Sequence, residues 1–523
     1  MSSQGGPPAA PTVAPARTMD RRYVTAALML VMVLASMEAT VTSTAMPTII
    51  GELHGLEHYA WVASIYLLAS TITMPLYGRL ADTLGRKRVI VFAILLFAAG
   101  SVAAAASRSM LQLIIFRGVQ GLGAGGIMPV VLTILGDIFT LKERARIQGF
   151  FSAVWGTASL AGPFLGAVFV KYLGWPSIFW VNLPAGFLGL GVLLWKYHDP
   201  HHTHGHPGEK PSASLAQLDL PGVVLLAIGS TALLAAFSVF SLKNLPVWVT
   251  PVLVVVAVAS LIWFARVERR AANPVMPLKL LFNRSIGPAV LGSGLLGLGV
   301  FAIDTYVPLY VQGGLGGSID RAASTITPVM LAWATSSMIA APLVIRLGFR
   351  TIGTFGALLT LVGLVGLLLA AWLQWPFWLL ISLLFLCGMG FGPASMAYLL
   401  GAQDAIDWRQ RGVVTSSVAF FRTVGGALGV GLLGAIFNLI VAPGLAALPP
   451  GTTPAELLDP HALAKIPAEV LNPARAAIVH ALLWVFCGMI LAGLAQVLIS
   501  LLITRHKAGH KPTVGEAMES ISA

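Results

Sequence analysis

Between Tyr23 and Ile503 the chain carries fourteen apolar segments, each roughly twenty residues or more in length, joined mostly by short polar stretches. A helix needs about 20 apolar residues to cross the hydrocarbon core of a bilayer. The segments are continuously apolar, whereas a transmembrane β-strand alternates lipid-facing and lumen-facing residues. The chain is therefore expected to be an all-α polytopic membrane protein with 14 transmembrane helices. With 57% hydrophobic and 10% charged side chains, it has too little polar surface to cover a soluble globule.

The spans fall in a six, two, six layout. Residues 1–21 are expected to be a disordered cytoplasmic tail, 22–196 a six-helix bundle and 197–218 a His-rich linker. Two inserted helices occupy 219–266, a cytoplasmic loop 267–285, a second six-helix bundle 286–503 and a tail 504–523. Within the second bundle, 441–475 is expected to be the one long external loop, either a small cap or a plain connector.

The layout conceals a duplication. Pro75-Leu76-Tyr77-Gly78-Arg79-Leu80 returns as Pro342-Leu343-Val344-Ile345-Arg346-Leu347, Pro129 with Leu135-Gly136 returns as Pro393 with Leu400-Gly401, and Gly162-Pro163-Phe164-Leu165-Gly166 as Gly425-Gly426-Ala427-Leu428-Gly429. The offset stays between 263 and 267 residues. At an offset of 266, Glu38 in the first span corresponds to Asp304 in the ninth.

The net charge of +12 could suggest nucleic acid, but the placement of the basic residues argues otherwise. Of 32 Lys and Arg, 24 fall on the side of the N-terminus, 6 on the other side and 2 inside spans. That bias predicts cytoplasmic N- and C-termini in the plasma (bacterial cytoplasmic) membrane, with anionic lipid headgroups as weak partners and no nucleic acid. Cys387 and Cys487 both lie in apolar segments, so no disulfide framework is expected. The first apolar stretch exceeds a signal peptide in length and carries Glu38, so it reads as a retained span. The His-rich linker holds His198, His201, His202, His204 and His206. Its Pro and Gly content leaves nothing to fix ligand geometry, so a solvated tether is expected rather than a metal site.

An ionised carboxylate inside a bilayer costs at least ~2.5 kcal/mol, so such acids usually face water or a partner. Glu38 and Asp304 are expected to share a chamber wetted at mid-bilayer depth and to load and release protons there; the alternative is a structural ion pair or a hydrogen bond to a neighbouring Thr or Ser that merely fastens helices. Arg117 and Arg422, the two intramembrane cations, need a carboxylate or carbonyl, and structural pairing competes with a transport role for each. Gln120, Gly121, Gly123 and Gly125 follow Arg117 and permit close helix approach. In the loop from Gly78 to Arg88, Gly78 and Gly85 allow a tight turn, Asp82 is placed to face a helix N-terminus and Arg86 to pair with Asp137, which together would latch one side shut. Gly156, Gly162, Pro163 and Gly166 put a kink and smooth faces on the fifth span. Trp61, Trp155, Phe301, Tyr306 and Trp333 are candidate apolar substrate contacts. The Gly429–Gly434 match to GxGxxG follows no strand and lies mid-membrane, and no HExxH motif or Walker loop is present. Neither an enzyme nor a cofactor is expected.

The Asp82 loop, the Arg117–Gly125 segment and the Gly162-Pro163 segment, in this order, resemble three signatures of the major facilitator superfamily. Glu38-Ala39-Thr40-Val41 through Pro47 resembles the first-span signature of its drug:proton antiporter branch with fourteen spans, with Glu38 where that branch usually has Asp and Ser43 where it often has Asn. The resemblance implies two six-helix bundles of the major facilitator type around a cavity open alternately to each side, with the two inserted helices outside. It also implies that the Asp82 loop gates the cytoplasmic side, that Arg117 assists proton movement and that the Gly162-Pro163 segment marks antiporters. The function expected is proton-coupled export of amphipathic, cationic drugs or antiseptics by a monomer, its partners being that substrate and protons. The alternative is a dedicated exporter of an endogenous lipid, siderophore or antibiotic.

Overall fold

The computed structural model describes residues 20–54, 59–199, 219–240, 248–271, 274–445 and 468–504. Its elements are α1 (Arg21–Leu53), α2 (Tyr59–Leu84), α3 (Arg86–Ala105), α4 (Met110–Ile138), α5 (Leu141–Leu173), α6 (Ser177–Trp180), α7 (Asn182–Lys196), α8 (Leu220–Phe240) and α9 (Val249–Glu268). There follow α10 (Leu278–Leu281), α11 (Ile286–Leu309), α12 (Ile319–Ala323), α13 (Ile326–Leu347), α14 (Phe349–Trp372), α15 (Phe377–Asp404), α16 (Arg411–Leu445) and α17 (Ala468–Leu501). Among the described residues twelve helices are long and apolar enough to cross a membrane, and the bent α1 makes a thirteenth. The remaining segment, α8, has a shorter apolar stretch at Pro221–Leu233. The expected fourteen is reached only with α8 included.

Three boundaries differ from expectation. The loop expected from Gly78 to Arg88 is helical on both sides, α2 continuing through Gly78 to Leu84 and α3 starting at Arg86, so that Gly85 alone makes the turn. The sixth span is broken into α6 and α7 at Val181. The external loop is also shorter than 441–475, because α16 continues to Leu445 and α17 begins at Ala468, where Ala468, Glu469 and Leu471 favour helix. Residues 446–467 and His201, His202, His204 and His206 of the linker lie outside the described residues.

Local chemistry sets the helix starts. Asp20 accepts from the Arg22 N–H ahead of α1, Ser109 from the Gln112 N–H ahead of α4, and Thr140 forms a capping box with Glu143 at the start of α5, satisfying donors that a helix start leaves open. The α2–α3 turn passes through Gly85 at φ 95° and the α13–α14 turn through Gly348 at φ 83°, a backbone region where a side chain is strained.

Packing repeats between the halves. In the first, α1 packs on α5 and α7, α2 on α4, and α3 on α4; in the second, α11 packs on α16 and α17, α13 on α15, and α14 on α15. The halves meet along α2–α16 and α5–α13, pairs exchanged by the duplication. The matched prolines Pro75 and Pro342 lie in α2 and α13, Pro129 and Pro393 in α4 and α15. Helices α8 and α9 pack on each other, and α8 also lies against α2 and α16.

Candidate functional site

The bend in α1 is where the first site begins. Arg21–Glu38 and Thr40–Leu53 meet at 42°, in a stretch where the hydroxyls of Ser36, Thr40, Ser43 and Thr44 donate to carbonyls three residues back, at 2.8 to 2.9 Å. Such back-bonding competes with the helix ladder and bends it. Helix α5 fits into this region without side chains: a Cβ on Gly162 would stand 2.0 Å from Thr40 Oγ1, and one on Gly166 2.3 Å from Thr44 Oγ1. On α5, Gly156 instead lies towards α13, 3.4 Å from the Met330 carbonyl by the same measure, while Pro163 is exposed.

Glu38 sits at the bend and is 4% exposed. Its Oε1 accepts from Arg117 Nη1 and, at 3.3 Å, from Thr42 Oγ1, and its Oε2 from Asn182 Nδ2 at 2.7 Å. Arg117 also donates to Gln120 Oε1 at 2.7 Å and to the Val62 carbonyl at 3.4 Å, and its guanidinium lies 4.2 Å from the Tyr66 ring centroid. Asn182 and Gln120 both donate to Ser101 Oγ, at 2.9 and 3.1 Å. Five elements, α1, α2, α3, α4 and α7, thus converge on one buried, hydrogen-bonded ion pair. Removing one partner of such a pair is costly, because the other charge stays buried.

Asp304, on α11, belongs to no such network: its Oδ1 is buried and has no hydrogen-bond partner among the described residues. In this conformation the two acids are therefore not joined in one cluster, and Glu38 is closed off from water. Of the candidate contacts, Tyr306 donates to the Val430 carbonyl at 2.6 Å and ties α11 to α16; Trp333 packs on Phe391 and donates to Ser395 Oγ at 3.3 Å. Phe301 lies against Gly426, Trp155 is half-buried, and Trp61 is exposed. Arg422 is half-buried, with Met128 Sδ 3.4 Å from its Nη2 across the gap to α4.

The second site lies at the helix ends on the side of the α2–α3 turn. Asp82 Oδ1 accepts from Arg86 Nη2 at 3.0 Å and from the Gly412 N–H at 2.9 Å, and Oδ2 from the Val413 N–H at 2.9 Å. An anion therefore caps the first turn of α16 from the other half of the molecule, where the helix dipole favours negative charge. Arg86 donates from Nε to Asp137 Oδ2 at 2.8 Å and from Nη2 to the Trp408 carbonyl at 2.6 Å. Asp137 Oδ1 accepts from Arg411 Nη1 at 2.5 Å, and the same nitrogen reaches the Gly136 carbonyl at 2.8 Å. Gly78 lets the backbones meet: a Cβ there would stand 2.0 Å from Ser416 Oγ, and one on Gly412 2.5 Å from the Gly78 carbonyl.

Sequence reasoning singled out Glu38, Arg117, Gln120, Asp82, Arg86 and Asp137 but passed over Asn182, Ser101, Trp408 and Arg411. Asn182 carried a signal, being an amide in an otherwise apolar span; Arg411 looked like any basic loop residue. Among the described residues no group of three His, Cys, Asp or Glu could hold a metal ion.

The sequence profile of the Major Facilitator Superfamily matches residues 28–430. The chain is 33% identical over 420 residues to the Multidrug transporter protein MdtP of Bacillus subtilis, covering 80% of this chain and 75% of that one. It is 28% identical over 425 residues to Multidrug resistance protein 3 of the same organism, with 80% of each covered. The crystal structure of the human organic anion transporter MFSD10 superposes with a TM-score of 0.58 at 15% identity, over 90% of this chain and 100% of that one.

Proposed function

The chain belongs to the major facilitator superfamily and is a membrane transporter, not an enzyme; from that premise we propose that it exports amphipathic, cationic compounds in exchange for protons, by alternating access. The buried Glu38–Arg117 pair carries this reading. While Glu38 is charged, Arg117 holds it between α1, α4 and α7. A proton on Glu38 cancels the attraction and leaves Arg117 to Gln120 and the Val62 carbonyl, so loading the acid and loosening the bend of α1 are one event. Thr40 and Thr44, pressed against Gly162 and Gly166, carry that movement to α5.

Asp304 supplies the second charge. A carboxylate buried without a hydrogen-bond partner is costly unless it binds a proton or a cation, and a lipophilic cation meets that need in an apolar surround. Trp61, Trp155, Phe301 and Trp333 offer apolar surface to the same substrate. The names of the two bacterial relatives, a multidrug transporter and a multidrug resistance protein, support export of drugs. The Asp82–Arg86–Asp137–Arg411 cluster would hold the halves together on the side that the charge bias makes cytoplasmic, and its release would open that side. Each pH unit of gradient supplies ~1.4 kcal/mol per proton. The transporter would work as a monomer with fourteen spans and bind no nucleic acid.

A second reading is export of a single endogenous product. Arg422, whose guanidinium reaches a methionine sulfur rather than an acid, favours an anionic one. Efflux of a fluorescent cation from proteoliposomes under an imposed pH gradient tests the first reading, and its absence in the wild-type protein would favour the second.

A further inference from the structure

Helices α8 and α9 touch at their middles, where Gly229 admits Leu261: a Cβ on Gly229 would stand 2.9 Å from the Leu261 side chain. Towards the Asp219 and Glu268 ends a groove of about 460 Å³ opens between them, lined by Pro221, Val224 and Leu225 of α8 and by Trp263 and Val267 of α9. Every lining side chain is apolar. In a membrane helix pair such a groove is bathed by acyl chains, so hydrocarbon is its natural filling.

The end of the groove is not neutral. Trp263 and Val267 are one turn apart, and Arg266, three residues after Trp263, shares their side of the helix; Arg269 and Arg270 follow in the turn that ends α9 after Glu268. Arg266, Arg269 and Arg270 are all exposed. The acids in this region are withdrawn: Asp219 is 9% exposed with Oδ1 accepting from the Gly222 N–H, and Glu268 is 4% exposed with Oε1 accepting from the Val275 and Met276 N–H groups. The mouth therefore presents cations, with Trp263 within two turns of the helix end at Glu268, a place that tryptophan favours in membrane helices.

We infer that this groove is a binding site for an anionic phospholipid, one acyl chain lying along Val224, Leu225, Trp263 and Val267 and the phosphate on Arg266, Arg269 and Arg270. On their inner side the same helices pack Leu226 and Phe264 with Met74 of α2 and Ala419 and Phe420 of α16. The bound lipid thus braces the inserted pair against the two helices joined by the Asp82 latch.

The test is quenching of Trp263 fluorescence by lipids brominated on the acyl chain, read as the difference between wild-type protein and Trp263→Phe in bilayers of phosphatidylglycerol or phosphatidylcholine. Stronger quenching by brominated phosphatidylglycerol is expected. That preference should fall by about fivefold for each arginine replaced in Arg266→Gln, Arg269→Gln and Arg270→Gln. Native mass spectrometry of the purified protein should show retained phosphatidylglycerol that the triple variant loses. Equal quenching by the two lipids, or a preference that survives the triple replacement, would show only the ordinary lipid annulus and overturn the assignment.

Discussion

The carboxylate of Asp82, at the end of α2, receives the backbone N–H groups of Gly412 and Val413 at 2.9 Å each, so a side chain from one half of the transporter caps a helix of the other. Partly buried caps of this kind are worth up to ~2 kcal/mol, about a thirtyfold bias in a two-state equilibrium. Asp82→Asn should shift the molecule away from the conformation closed on this side and slow turnover, with substrate affinity within a few-fold of wild type. Accessibility of a cysteine placed on the latch side, compared with equilibrium binding, reads both quantities. Unchanged turnover and accessibility would remove the latch from the account.

The Glu38–Arg117 pair makes a stability prediction separate from transport. Glu38→Gln and Arg117→Gln should each cost ~3–5 kcal/mol, since each strands a buried partner. The double variant should cost less than the two losses together by ~0.5–3 kcal/mol, because no lone charge remains. Unfolding in lipid nanodiscs measures the cycle, and strictly additive losses would show that the pair is not coupled.

Gly162→Ala places a methyl group against Thr40 Oγ1 and should destabilise by ~1–3 kcal/mol, as overpacking does. Thr40→Ala in the same chain should restore part of the loss. A Gly162→Ala protein as stable and active as wild type would mean that α5 and α1 are not held at this distance.

Asp304→Asn should reduce transport of divalent cationic substrates more than monovalent ones, since Glu38 would be the one intramembrane acid left of the two. Paired rates for the two substrate classes give the answer. Equal losses would count against a role for Asp304 in reading substrate charge.

Much of this architecture was legible because duplication writes itself twice. Pro75 with Pro342 and Pro129 with Pro393 mark corresponding helices, and an apolar span is recognisable by length alone. Arg86 and Asp137 were legible as partners because both lie at the ends of spans on the same membrane side. What resisted reading was the rotation of each helix. In water a helix shows its buried face by periodic apolar residues, but lipid is as apolar as the protein interior, so the face of α4 that carries Arg117 is not set apart by its apolar neighbours. Asn182 reaches Glu38 from 144 residues along the chain, and Ser101 reaches Asn182 from 81, contacts chosen by tertiary packing. Asp82 was legible as an acid facing a helix N-terminus, but that the helix is α16 was hidden, because the donors are backbone N–H groups, which any sequence has. Arg411 was hidden among residues that orient the chain in the membrane.

The central claim is that protonation of Glu38 is coupled to movement of substrate. Its most direct test is proton flux driven by a gradient of an amphipathic cation across proteoliposomes, with no pH gradient imposed, recorded with a trapped pH dye for wild-type protein and Glu38→Gln at matched reconstitution. The account predicts a substrate-dependent proton flux in the wild type that disappears in Glu38→Gln. The same flux in both proteins, with the fold of the variant intact, would contradict it.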